Sequence, residues 1–132
     1  MPITTYEGPE VLVARSAETL KAHLSNFSNF EQLFPDSVTY FKAYEDGFTF
    51  QMGSMPKVGL QRAESNDPDV LALKAAGGAI DFQLLCSIKA ADENHAKVQL
   101  YFEGDFNPMV RMMVEKPLKR LLDDLSEGLK KV

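Results

Sequence analysis

The feature that most constrains this chain is the segment from Asn107 to Leu129. Val110, Met113, Val114, Leu118, Leu121, Leu122, Leu125 and Leu129 recur there at helical spacing, so one apolar stripe runs along a predicted amphipathic helix. Arg111, Glu115, Lys119, Asp123, Asp124 and Glu127 fall mainly on the opposite side. Asn107 supplies an N-cap, and Pro108 stands at the first helical position, where a missing N–H costs nothing. Pro117 removes a ladder bond inside the run and is expected to bend it, and Gly128 is expected to let the last turn fray. A stripe of about six turns needs a broad apolar surface to lie on.

The preceding residues supply that surface. Ile3 to Ala14 reads as a strand with Val11 and Val13 on one face, interrupted at Gly8-Pro9, which points to a bulge or an edge. Ser16 caps a first helix carrying Leu20, His23, Leu24 and Phe27, with Glu18 in its first turn. Asn29 is placed to cap a second short helix containing Phe30, Leu33 and Phe34, stopped by Pro35. The periodicity then changes to two. Strands are predicted over Val38–Glu45, Phe48–Met52, Lys57–Glu64, Val70–Ala75, a long run through Ile80, Phe82, Leu84, Cys86 and Ile88, and a last one through Val98, Leu100, Phe102 and Phe106. Asp46-Gly47 marks a hairpin, and the other joints are equally short. Short joints imply an antiparallel sheet with one wet face. Without repeat, linker or low-complexity tract, residues 1–132 read as one α+β domain.

Charge and composition exclude several function classes. The formal net charge is -5, and the one dense basic cluster, Lys130-Lys131, shares its helix with acidic residues; a nucleic-acid partner is not expected, because phosphate contacts need a basic face. A single cysteine, Cys86, allows no internal disulfide and points to a cytoplasmic thiol. The N-terminal residues lack the form of a secretory signal, and no run approaches the ~20 apolar residues of a membrane span. Two distant histidines and one cysteine offer no metal-ligand spacing, so no metal or cofactor is expected. There is no nucleophile motif and no phosphate-cradling glycine loop. Nine Phe and six Met suit an adaptable apolar interior, either a core or a pocket.

Two stretches carry a resemblance. Val11-Leu-Val-Ala-Arg-Ser16-Ala-Glu-Thr-Leu20 looks like the strand and capped first helix of the SRPBCC or START-like superfamily, which includes birch-pollen-type allergens and polyketide cyclases. Asp105-Phe-Asn107-Pro108-Met109-Val-Arg-Met112-Met113-Val-Glu-Lys116-Pro117-Leu118 resembles the final strand and helix of a small bacterial subgroup of that superfamily. The resemblance implies a helix-grip fold: a curved, seven-stranded antiparallel sheet around the long C-terminal helix, with two short helices after the first strand. It also implies an apolar cavity between the layers. Mapped onto this chain, the ligand-binding residues would be Phe50, Met52, Leu60, Arg62, Phe82, Leu84, Leu100, Phe102, Met109 and Met113, with Met112 as a further candidate. Phe30 and Phe34 would close one end, and Met55-Pro56 and Gly77-Gly78 would sit near the mouth.

Polar candidates are few. Arg62 is in phase with Val58 and Leu60, so it either hooks a ligand carboxylate or hydroxyl, or pairs with Glu64 or Asp81 at the rim. Tyr40 and Tyr44 are weighed as orienting groups. His23 reads as a packing histidine or a general base, His95 as a turn residue and Cys86 as a small core thiol. The methionines at 109, 112 and 113 suit a core, a pliant pocket wall or a homodimer contact, and these remain open. No catalytic residue is assigned. The expected function is binding of an apolar small molecule such as a lipid, isoprenoid or aromatic compound. The alternatives are a cyclase- or dehydratase-like enzyme of the same superfamily and a pocketless domain acting through protein contacts.

Overall fold

The computed structural model describes residues 3–53, 57–76 and 81–132. Eight strands form one antiparallel sheet: β1 (Thr4–Glu7), β2 (Val11–Val13), β3 (Val38–Tyr44), β4 (Gly47–Met52), β5 (Val58–Ala63), β6 (Val70–Ala75), β7 (Phe82–Asp92) and β8 (His95–Gly104). Their order is β1-β8-β7-β6-β5-β4-β3, with β2 also pairing β8. The seven expected strands become eight because Gly8-Pro9 splits the first into two pieces on one edge: Tyr6 faces Phe102 and Val11 faces Val98. Helix α1 (Ala17–Ser25) and a 3-10 helix (Phe27–Leu33) follow β2, and helix α2 (Pro108–Leu129) closes the chain.

The predicted caps hold α1 and α2. Ser16 Oγ accepts from the Thr19 N–H at 3.1 Å, and Asn107 Oδ1 accepts from the Val110 N–H at 2.9 Å. The cap of the 3-10 helix is Asn26 rather than Asn29; its Oδ1 accepts from the Ser28 N–H at 3.3 Å. Asn29 instead donates from Nδ2 to the His23 carbonyl at 2.7 Å, tying the two short helices together. The first hairpin turns through Glu45 and Asp46, since Tyr44 already faces Gly47 across the strands. Lys21 on α1 pairs with Asp69 at 2.9 Å, which fixes the helix against the β6 end of the sheet.

The core lies between the inner sheet face and the helices. Val11, Val13, Phe48, Phe50, Leu60, Leu73, Leu84, Cys86, Ile88, Val98, Leu100 and Phe102 are buried there, with Leu20 and Leu24 from α1. Helix α2 contributes Leu121, Leu122, Leu125 and Leu129, all from its C-terminal half. Gly128 is not a fraying point. It is buried where α2 crosses the 3-10 helix, and a Cβ there would stand 2.5 Å from the Leu33 carbonyl oxygen and 2.7 Å from its Cα. The helix docks backbone to backbone at this point because residue 128 has no side chain. Among the described residues, no helix is long and apolar enough to cross a membrane.

Candidate functional site

The interlayer space has two unlike ends. At one, the 3-10 helix presses Phe27, Phe30 and Phe34 onto β3 and β4. Phe30 stacks on Phe48 at 4.9 Å, Phe34 meets Phe50 at 4.8 Å, and Phe41 stacks on Phe48 at 5.3 Å. Offset and tilted aromatic contacts of this kind fill volume densely. Phe30 and Phe34 therefore sit in a solid plug that also takes up Phe50.

At the other end, α2 packs on β1, β2 and β8. Its inward residues are Val110, Val114 and Leu118, in phase with Leu121, Leu122 and Leu125, and these three are only half-buried against the core. On the inner face of β7 and β8, Phe102 is buried and Phe82 half-buried, their rings 5.8 Å apart with planes 65° apart. Tyr6 on β1 stacks with Phe106 at 6.2 Å and is 6% exposed, yet among the described residues its hydroxyl has no hydrogen-bond partner. A buried hydroxyl without a partner is costly, and a polar ligand atom would satisfy it.

The predicted site residues divide between these environments. Phe82, Leu84, Leu100 and Phe102 share the inner face of β7 and β8, facing their neighbours in register, with Leu84 opposite Phe102 and Phe82 opposite Gly104. Leu60 is buried on β5 beside the aromatic plug. Met52 ends β4, and its side chain lies outside the described residues, as do Met55-Pro56, Gly77-Gly78 and Ile80. Met109 and Met113 do not face the sheet. They are 74% and 67% exposed, with Met112 at 85%. The stripe read from sequence grouped Met113 with Val114, but adjacent helical residues point about 100° apart, and Val110, Val114 and Leu118 hold the inward phase.

Arg62 lies on the inner side, as alternation with Leu60 required, but at the rim and exposed. Its partner is neither Glu64 nor Asp81. The guanidinium lies 5.0 Å from the Phe27 ring centroid and donates from Nη2 to the Ser25 carbonyl at 3.2 Å. It clamps the joint between α1 and the 3-10 helix to β5. Tyr40 and Tyr44 belong to the outer face: they pair with Gln51 and Gly47, and Lys57 and Lys42 lie over their rings at 4.0 and 5.6 Å. An open depression of about 350 Å3 lies by the β3–β4 turn and β5, lined by Tyr44, Asp46, Thr49, Gly59 and Gln61.

The remaining ionisable candidates have structural surroundings. Burial pushes the Cys86 thiol up to about 12, which makes it an inert core group. His23 is half-buried, and among the described residues its Nε2 has no partner; burial, then the nearby Arg15 charge, hold its pKa below the ordinary value. His95 Nδ1 lies 2.9 Å from Asp92 in the β7–β8 turn. Among the described residues, no group of three or more His, Cys, Asp or Glu could hold a metal ion. Tyr6 and Leu73 were missed from the sequence, although period-two alternation places Tyr6 in phase with Thr4 and Leu73 in phase with Leu71 on the inner face.

No protein-family model matches the sequence, and no curated protein does. Solved structures match over nearly the whole chain. A norcoclaurine synthase point mutant from Thalictrum flavum, in complex with a transition state analogue, is 12% identical with a TM-score of 0.71, covering 99% of this chain and 95% of its own. A START superfamily protein from Mycobacterium smegmatis is 16% identical with a TM-score of 0.66, covering 98% and 94%. A conserved protein from Geobacillus kaustophilus is 12% identical with a TM-score of 0.66, covering 97% and 93%. The architecture is the START-like helix-grip fold. What is shared at such identities is the path of the backbone.

Proposed function

We propose that this chain binds an apolar small molecule between the inner face of β1, β7 and β8 and the N-terminal half of α2. One observation carries the reading: Val110, Val114 and Leu118 pack against the apolar core yet stay half-buried. A ligand there would cover what the protein leaves uncovered, at about 25 cal/mol per Å2 of apolar surface. The Tyr6 hydroxyl supplies one polar anchor at the same end. Tyr6 replaces Arg62 as the group that would orient the bound molecule. Lipids, isoprenoids and aromatic compounds all fit this chemistry.

The test is a fluorescence titration with the apolar probe N-phenyl-1-naphthylamine, against wild type and Val114→Trp. Wild type should enhance probe emission and gain thermal stability with probe concentration. Val114→Trp should fill the space and lose at least most of the binding while staying folded. Equal binding by the variant, or none by wild type, removes the carrier reading and leaves a domain that acts through its surface.

A second reading is a synthase- or cyclase-like enzyme. The norcoclaurine synthase structures of the same fold support it, as does the same Tyr6 hydroxyl, which a reacting substrate could use as an acid or base. Tyr6→Phe separates the two: a carrier keeps its affinity for hydrocarbon probes, whereas an enzyme loses turnover with its melting temperature nearly unchanged.

A further inference from the structure

Helix α2 carries a second stripe that the ligand site does not use. Met109, Met112, Met113, Lys116 and Arg120 succeed one another at spacings of three, four, seven and eleven from the first, and Lys119, three residues beyond Lys116, pairs with Glu115 at 3.6 Å and lies over the Tyr6 ring at 5.7 Å. All six are exposed, on the side away from the buried leucines. The methionines occupy the first two turns and the three cations the next two. Ile3, 57% exposed, emerges at the same end of the molecule, because its neighbour Thr4 faces Gly104 just before the helix. Between Pro108 and Arg120 there are four basic residues and one acidic, Glu115, in a chain whose net charge is -5. Asp105 precedes the helix, and beyond Arg120 the sign reverses with Asp123, Asp124 and Glu127.

We propose that this outward stripe docks the protein on an anionic lipid surface. Three flexible thioether chains suit the boundary between headgroups and acyl chains. The cations one turn further along are placed to meet lipid phosphates, and Asp123, Asp124 and Glu127 beyond them are repelled, so the helix approaches with its N-terminal end down and Lys130-Lys131 lie past that acidic stretch. An acidic protein is oriented on an anionic membrane by this one patch. A second copy is the poorer occupant, since a two-fold axis through the stripe would set Lys116, Lys119 and Arg120 of both chains together. The choice of lipid over an acidic protein rests on the carrier reading: an apolar cargo resides in membranes, and this stripe lies on the helix that covers the proposed site.

The experiment is sedimentation of the full chain with vesicles of phosphatidylcholine, with and without phosphatidylglycerol, alongside analytical ultracentrifugation of the free protein. Binding should require phosphatidylglycerol and weaken with added salt. Lys116→Gln and Arg120→Gln should each reduce partitioning about fivefold, from ~1 kcal/mol per cation near the surface. Met112→Glu should reduce it further, and all three should keep the wild-type melting temperature and N-phenyl-1-naphthylamine affinity. Absent vesicle binding, or binding unmoved by these variants, overturns the docking surface. So does a dimer that Met112→Glu dissociates, which would assign the stripe to a second copy. The two proposals fail separately: probe binding without vesicle binding removes the docking alone, and vesicle binding without probe binding removes the carrier alone.

Discussion

The two ends of the layer between sheet and α2 are built from the same residue class and packed to opposite effect. Beneath the 3-10 helix, six phenylalanines from residues 27 to 50 cluster around Phe48 in mutual ring contact. Beneath the first half of α2, valines and a leucine face the sheet half-buried, and the helix shows methionine to solvent. Helix α2 joins both ends. Its last turns are seated against Leu33 through Gly128, so its position is fixed from the filled end, while its N-terminal half projects over the other. The first end is where stability is expected to reside, and the second is where we propose that the ligand binds.

The contrast can be broken by measurement. Phe48→Ala removes the hub of the aromatic plug and should cost about 3–5 kcal/mol in denaturant unfolding; a loss under about 1 kcal/mol would mean that the plug is not the stable end. Leu122→Ala and Leu118→Ala compare one helix at its two depths. Leu122 is buried and should cost about 2–5 kcal/mol, whereas half-buried Leu118 should cost clearly less. Equal losses would erase the distinction between the two halves of α2. The smallest effect concerns His23, on α1 beside the filled end. Its folded pKa lies below the ordinary 6.5, so as pH falls from that value the unfolded chain takes up the proton first and stability declines. His23→Gln should flatten this part of the stability-pH curve. A variant as pH-sensitive as wild type would place the titrating group elsewhere.

Much of the fold was legible because local periodicity reports which side of an element is apolar. The alternation of Leu84, Cys86 and Ile88 with Gln83, Ser87 and Lys89 placed β7, and Asn107-Pro108 marked where α2 begins. The candidate site was legible in part. Phe82, Leu84, Leu100 and Phe102 come together on one inner face as their phases required. Met109 and Met113 do not join them. Helical spacing admits more than one apolar stripe, and a sequence does not say which of two stripes meets the sheet. Arg62 was placed on the right side, but its partner, the Ser25 carbonyl, lies 37 residues away and belongs to a helix end that no local pattern links to β5.

By itself, then, the sequence determined the elements: their order, the caps of α1 and α2, the apolar side of the strands and the need of a long helix for a sheet to lie on. These follow from steric and hydrogen-bonding rules that act over a few residues. Tertiary structure alone decided that the phenylalanines would fill one end, that Gly128 would bring two backbones together, that Tyr6 would be buried without a partner and that three methionines would face outward. Each depends on what chain-distant residues leave uncovered, and packing between layers is a property of shapes meeting in space, which no one-dimensional period encodes.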